Sequence, residues 1–133
     1  MKKKLRQIVI NEKKYLYAYK CTYFAENEND KLHLRIYESG KKNTPLIIEF
    51  LVADSYYVGL PLNSGVTLFN NVKHVNEEIN INHPGLIRKL ILCGIGCGWT
   101  GSNVIDIQDG VQYLKDLGYD TTPIEPFPKN YIN

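Results

Sequence analysis

The sequence predicts an α+β fold: an antiparallel meander sheet packed on one face by a main helix, residues 84–98, and a small C-terminal helix, residues 109–117. Three observations predict it. Apolar residues alternate with period two through the first half, as in half-buried strands. The stretches between those runs are short and polar, which suits consecutive strands joined by tight loops. After Pro84 the apolar residues recur at steps of three and four, the helical period.

The strands come first. From Tyr15 to Phe24 the odd positions are Tyr15, Tyr17, Tyr19, Cys21 and Tyr23, and the even ones are mixed. Lys31 to Tyr37 sets Leu32, Leu34 and Ile36 against His33, Arg35 and Tyr37, and Pro45 opens the apolar run Leu46 to Ala53. The separators are Asn11-Glu12-Lys13, residues 26–30, and Ser39 to Asn43, all turn formers. A weaker hairpin is expected to pair Tyr57 to Leu60 with Val66 to Phe69 across Asn63-Ser64-Gly65.

The helices follow. Pro84 suits a first helical position, with Asn82 or His83 as cap. The stripe is Leu86, Ile87, Leu90, Ile91, Gly94 and Cys97. Gly94, Gly96 and Gly98 each cost about 1 kcal/mol against Ala inside a helix, so the helix should end near Gly98 in a left-handed terminal residue. A short strand is expected at Asn103 to Ile107, then a helix capped by Asp109 and ended by Gly118. Pro123, Pro126 and Pro128 make residues 120–133 an irregular tail.

A chain of 133 residues suits one domain, here 1–133. It is 44% hydrophobic and 23% charged, which excludes wholesale disorder. Sixteen Lys and Arg against fourteen Asp and Glu leave +2, too little to identify a nucleic-acid binder by charge alone. No apolar run reaches the roughly 18–20 residues that span a bilayer. The basic start Lys2-Lys3-Lys4 is followed by an apolar stretch too short for a signal peptide and reads as a solvated end. Three cysteines, an odd number, fit a reducing compartment. A cytoplasmic location with three free thiols is therefore expected.

Motif chemistry is sparse. Gly96-Cys97-Gly98-Trp99-Thr100-Gly101 matches the dinucleotide fingerprint, and Asp120 follows at a suitable distance. That fingerprint needs a second parallel strand carrying the acid, and too few residues remain after Gly101 to build one. No nucleotide or other cofactor is expected. Cys93 and Cys97 share a helix face, and His74 and His83 would have to complete a tetrahedral zinc site. Buried core thiols are the expected reading, with no metal. His33, His74 and His83 are scattered and no nucleophile motif accompanies them. Glu49 is flanked by strand apolars. Buried, it would have a raised pKa and serve as acid or base; on a one-sided sheet, the favoured reading, it faces solvent.

Ten tyrosines are the unusual feature. The expectation is that Tyr15, Tyr17 and Tyr19, with Arg35 and Tyr37, form the outer sheet face and bind a protein partner, since Tyr is enriched at interface hot spots. A rigid aromatic face packed beneath the helices is the competing arrangement. Two other functions remain open. One is a small enzyme or ligand-binding domain with a pocket between sheet and helix, using Glu49 with His33 or His74. The other is single-stranded nucleic-acid binding, with Lys20 and Arg35 on phosphates; it lacks a basic–aromatic signature and is not favoured.

Residues Ile79 to Tyr119 carry a pattern of caps: His83-Pro84, Gly98-Trp99, Val104-Ile105-Asp106-Ile107 and Leu117-Gly118-Tyr119. In this the chain resembles small bacterial β-rich proteins of uncharacterised function, some of which look like immunity proteins. The resemblance implies a non-enzymatic protein that neutralises a toxin by binding it, and it carries no site residues. Immunity proteins against nucleases are often acidic to complement a basic site, so a chain at +2 argues against a nuclease target.

Overall fold

The computed structural model describes residues 5–24, 29–53 and 61–125. Strand β1 (Arg6–Ile10) turns into β2 (Lys13–Phe24) through Asn11 and Glu12, both left-handed at φ 50 and 69. Two residues at positive φ make the hairpin turn whose twist matches that of its strands. Strands β3 (Asn29–Glu38) and β4 (Leu46–Ala53) continue the antiparallel meander. A single helical turn, α1 (Pro61–Ser64), leads to β5 (Val66–Asn70) and β6 (Val75–Ile79), which form a separate two-stranded sheet. The main helix α2 (Pro84–Gly96) follows, then β7 (Gln108–Asp109), α3 (Gly110–Asp116) and a 3-10 turn, Thr122–Ile124. Strand β7 lies parallel to β4, giving the order β1-β2-β3-β4-β7. The fold is α+β, as the two periods require.

Register decides which side is the core. Tyr17 pairs with Ile36, Tyr19 with Leu34 and Cys21 with Leu32, so the tyrosine face of β2 continues the aliphatic face of β3. On β4 the same side carries Leu46, Ile48, Phe50 and Val52, all fully buried. The expectation that the phenols point outward is therefore corrected: Tyr15 is 4% exposed and Tyr17 3%. Each ring removes about 150–250 Å² from water, on the order of 4 kcal/mol at ~25 cal/mol per Å². The alternate face, with Lys14, Lys20 and Thr22, has far less to gain from burial. Tyr19 is half-buried and donates to Asn82 Oδ1 at 2.7 Å, with Asn63 Oδ1 2.8 Å away, so its polar end is satisfied at the rim.

Both helices reach β4 through glycine. An added methyl on Gly94 would stand 2.4 Å from a Leu46 methyl, and one on Gly110 would stand 2.4 Å from the Phe50 ring. Both helices also end alike. Gly98 at φ 108 lets Gly98 N donate to Ile95 O and Trp99 N to Gly94 O. Gly118 at φ 100 repeats the arrangement, with Gly118 N on Lys115 O and Tyr119 N on Leu114 O. This paired closure satisfies the last carbonyls and turns the next side chain back onto the helix. That residue is a buried aromatic in both cases, Trp99 and Tyr119. Trp99 stacks near Tyr15, 5.8 Å between ring centres, and donates from Nε1 to Thr44 O at 3.1 Å.

Several boundaries differ from expectation. Helix α2 stops at Gly96, and Cys97 is its terminal cap. His83 is the N-cap residue but makes no side-chain cap bond, whereas Asp109 accepts from Val111 N and Gln112 N, as expected of a cap. Residues 103–107 form no strand; pairing with β4 begins only at Gln108, and the apolar Val104 and Ile107 are left exposed without a neighbouring strand. Strand β5 pairs with β6 across a turn stapled by Asn70, whose Oδ1 accepts from Val72 N and Lys73 N. The expected partner, Tyr57 to Leu60, lies outside the described residues, as do Lys2 to Lys4, residues 26–28 and the tail from residue 126.

The glycine contact at Gly94 reverses the usual helix-propensity argument. Leu46 is wholly buried and cannot swing aside, so Gly94→Ala should destabilise by about 1–3 kcal/mol from overpacking, outweighing its propensity gain. Gly96 has nothing within 4 Å of an added methyl, so Gly96→Ala should stabilise by up to about 1 kcal/mol. Urea unfolding of the two variants checks the opposite signs.

Candidate functional site

Among the described residues, the helices occupy one side of the five-stranded sheet and none lies on the other. On that outer side β2 presents Lys14, Leu16, Ala18, Lys20 and Thr22, β3 presents Lys31, His33, Arg35 and Tyr37, and β4 presents Ile47, Glu49 and Leu51. All are exposed or half-buried except Tyr37, which is 5% exposed. Leu51 and Val9 keep about half their area in solvent, at 47% and 55%, and Ile107 at the sheet's rim keeps 58%. Apolar side chains therefore lie among charged ones across this surface.

Its charge is lopsided. Lys14, Lys20, Lys31 and Arg35 stand on the outer side of β2 and β3, while β4 supplies one acid, Glu49. Glu49 sits directly across from His33. His33 Nδ1 is 2.9 Å from Glu49 Oε2, and Lys31 Nζ is 3.6 Å from Oε1. An ionised carboxylate only accepts, so Nδ1 carries the proton in this pair. The hydrogen bond from His33 holds the Glu49 carboxyl below its ordinary range; burial opposes it, and the Lys31 charge adds to the lowering. Glu49 is thus a stable carboxylate facing solvent, which is the one-sided-sheet arrangement. It is not a buried acid held protonated. Beside it a shallow cleft of about 360 Å³ is lined by Lys31, Glu49, Leu51, Ile107, Gln108 and Asp109.

The expected binding residues divide accordingly. Arg35 lies on the open face, exposed, with Nη2 donating to Lys42 O at 2.9 Å. Tyr37 lies on the same side but is buried. Tyr15, Tyr17 and Tyr19 lie on the opposite, helix-covered side, so the outer face has a basic and aliphatic character in place of an aromatic one. Beside Arg35 the structure adds Lys14, Lys20 and Lys31 to this face, and the sequence pattern points to Lys20 only as a phosphate contact. Their signal was present in the parity of the strands, because the even positions of β2 align with the odd positions of β3.

A second cleft, of about 380 Å³, separates the small sheet from the start of α2. Across it Tyr119 donates to Glu77 Oε1 at 2.5 Å and accepts from Lys89 Nζ at 3.2 Å. Lys73 approaches the other Glu77 oxygen at 3.5 Å. The Tyr119 bond holds the Glu77 carboxyl below its ordinary range. These links satisfy one another and tie the hairpin to the helix. His74 lies in the β5–β6 turn against Phe69, and His83 is 3.9 Å from Glu78, so neither joins Glu49. Cys97 is exposed and Cys93 half-buried, which corrects the expectation that both are core thiols. Among the described residues no group of three or more His, Cys, Asp or Glu is placed to hold a metal, and no helix is long and apolar enough to cross a membrane.

The Glu49 pair has a pH signature. A carboxyl whose folded pKa lies below its unfolded value adds stability above the ordinary carboxylate range and loses it as pH falls through the depressed value. His33→Ala should raise the Glu49 pKa toward the ordinary ~4.3, measured by NMR titration of the side-chain carboxyl. The stability gap between wild type and variant should be present near neutrality and close in acid. No family model matches the chain, and neither a curated protein nor a solved structure matches it.

Proposed function

We propose that the protein is a non-enzymatic binding protein, of the immunity type that neutralises a bacterial toxin, and that it docks an acidic protein partner on its open sheet face. The observation that carries this reading is the composition of that face. Lys14, Lys20 and Arg35 surround Leu16, Ala18, Ile47 and Leu51 on a surface the helices leave uncovered. Protein interfaces join an apolar centre to a polar rim, and an apolar surface left open on a small domain marks an interaction site. The cations steer an acidic partner toward the face and reject a basic one. The same sign accords with the argument against a nuclease, whose active site is basic. The tyrosines support the site from behind as a rigid inner layer.

A second reading, a small enzyme or ligand-binding domain, is favoured by the His33–Glu49 pair opening on the 360 Å³ cleft. The cleft is on the outer side of β4, where it opens to solvent; the inner side is filled by buried side chains. Backbone amide shifts at Glu49 and Gln108 on addition of a small-molecule library would support it, and their absence would remove it.

The docking reading is tested by a photo-crosslinking residue placed at Thr22 or Ile47 on the open face, and at the exposed Leu92 of α2 as control. In the cells of origin one protein should crosslink from the open face and not from Leu92. The pair Lys20→Glu and Arg35→Glu should cut that yield at least tenfold, with folding checked by circular dichroism. Equal yields from both faces, no adduct above control, indifference to charge reversal, or a nucleic-acid adduct would each overturn it.

A further inference from the structure

The end of α2 opposite the docking face carries two cysteines one turn apart. Cys97 N donates to Cys93 O at 3.0 Å, so the helical turn between them is intact and the two side chains stack on one face. Cys97 is exposed and Cys93 half-buried, so the pair lies at the surface. Asp116 of α3 lies close enough to push the Cys93 thiol up, after burial itself, and Cys97 adds to the same effect. The surroundings are therefore negative. The last carbonyls of α2 add to this, because a helix C-terminus carries a partial negative charge. Such an environment disfavours a bare thiolate, and a soft cation held by both sulfurs offsets part of the charge that two thiolates would carry.

Spacing then selects the chemistry. Side chains one helical turn apart hold their Cβ atoms about 5–6 Å from each other, whereas a disulfide needs about 3.5–4.5 Å. An unbroken helix end cannot close that bond. Metal–thiolate bonds near 2.3 Å place two sulfurs bridged by a linearly coordinated ion about 4.6 Å apart, which the stacked pair can span. With two sulfur donors and no third His, Cys, Asp or Glu placed to complete a set among the described residues, a tetrahedral zinc site is not available. Soft thiolates with low coordination number select monovalent copper and its congeners.

We propose that Cys93 and Cys97 form a two-thiolate site for a soft d10 cation of the copper(I) class at the C-terminal end of α2. Binding replaces the two thiol protons with one ion, forms two metal–sulfur bonds and releases both protons to solvent, with no change of oxidation state. The site stands apart from the sheet face and does not depend on the docking reading.

Silver(I), a redox-inert probe of the same class, tests it on the full chain in the absence of reductant, against a competing chelator. Wild type should bind one silver ion tightly, observed by native mass spectrometry, and two thiols should lose reactivity together. Cys97→Ser, at an exposed position, should weaken that binding at least 100-fold with folding checked by circular dichroism, and Cys93→Ser should match it. Cys21→Ser should leave it unchanged. Three equal, independent ions per chain, or a Cys97→Ser variant that binds as tightly as wild type, would overturn the proposal. So would rapid formation of a Cys93–Cys97 disulfide under mild oxidant, because it would show sulfurs closer than the helix allows.

Discussion

The architecture depends on how closely two helices approach one strand. Gly94 of α2 lies against Leu46 and Gly110 of α3 against Phe50, each with less than the space of a methyl group between backbone and side chain. Leu46 and Phe50 are on the same side of β4 and completely buried. With these contacts made, both helices are committed to one side of the sheet and each must end before it overruns the strand. The two glycine closures, at Gly98 and Gly118, provide those ends and return Trp99 and Tyr119 to the interior. A cavity at either contact would forfeit dispersion along a whole helix face, so the glycines matter for what they permit nearby more than for their own flexibility.

A sheet covered on one side has a free surface on the other, and that follows from the same commitment. The inner side takes Tyr15, Tyr17 and Tyr19 with the aliphatic faces of β3 and β4, while Leu16, Tyr37, Ile47 and Leu51 lie on the outer side. What is left outside is lysine, arginine, a few aliphatics and one glutamate held by His33 and Lys31. The surface that results mixes cations with aliphatic side chains. Its electrostatics come from neighbouring strands together, Lys14 and Lys20 on β2 and Lys31 and Arg35 on β3.

Inner and outer assignment was the point at which sequence reading and structure diverged. Leu32, Leu34 and Ile36 were placed inward correctly from their alternation. The tyrosines of β2 alternate just as clearly, but alternation tells only that two faces exist. Facing Tyr17 toward the core needs the register that sets it beside Ile36, and that register is fixed by a pairing between strands. The same holds for Glu49. Its apolar neighbours in sequence suggested either burial or exposure, and the cross-strand partner His33 decided between them. Strand β6 is not legible in Val75-Asn76-Glu77-Glu78-Ile79, where two apolar residues flank three polar ones without alternation; it is held by β5 and by Tyr119 reaching Glu77.

The local chemistry could be read along the chain: two periods and hence an α+β fold, Pro84 and Asp109 as helix starts, and glycines where two helices stop. These depend on backbone geometry within a few residues, and a sequence carries that directly. The side of the sheet that meets the helices, the strand that β5 joins, and the gathering of lysines from separate strands onto one face were decided by tertiary structure. Each of those is a relation between distant residues, set by which arrangement buries the most ring and aliphatic surface at once, and no short stretch of chain contains it.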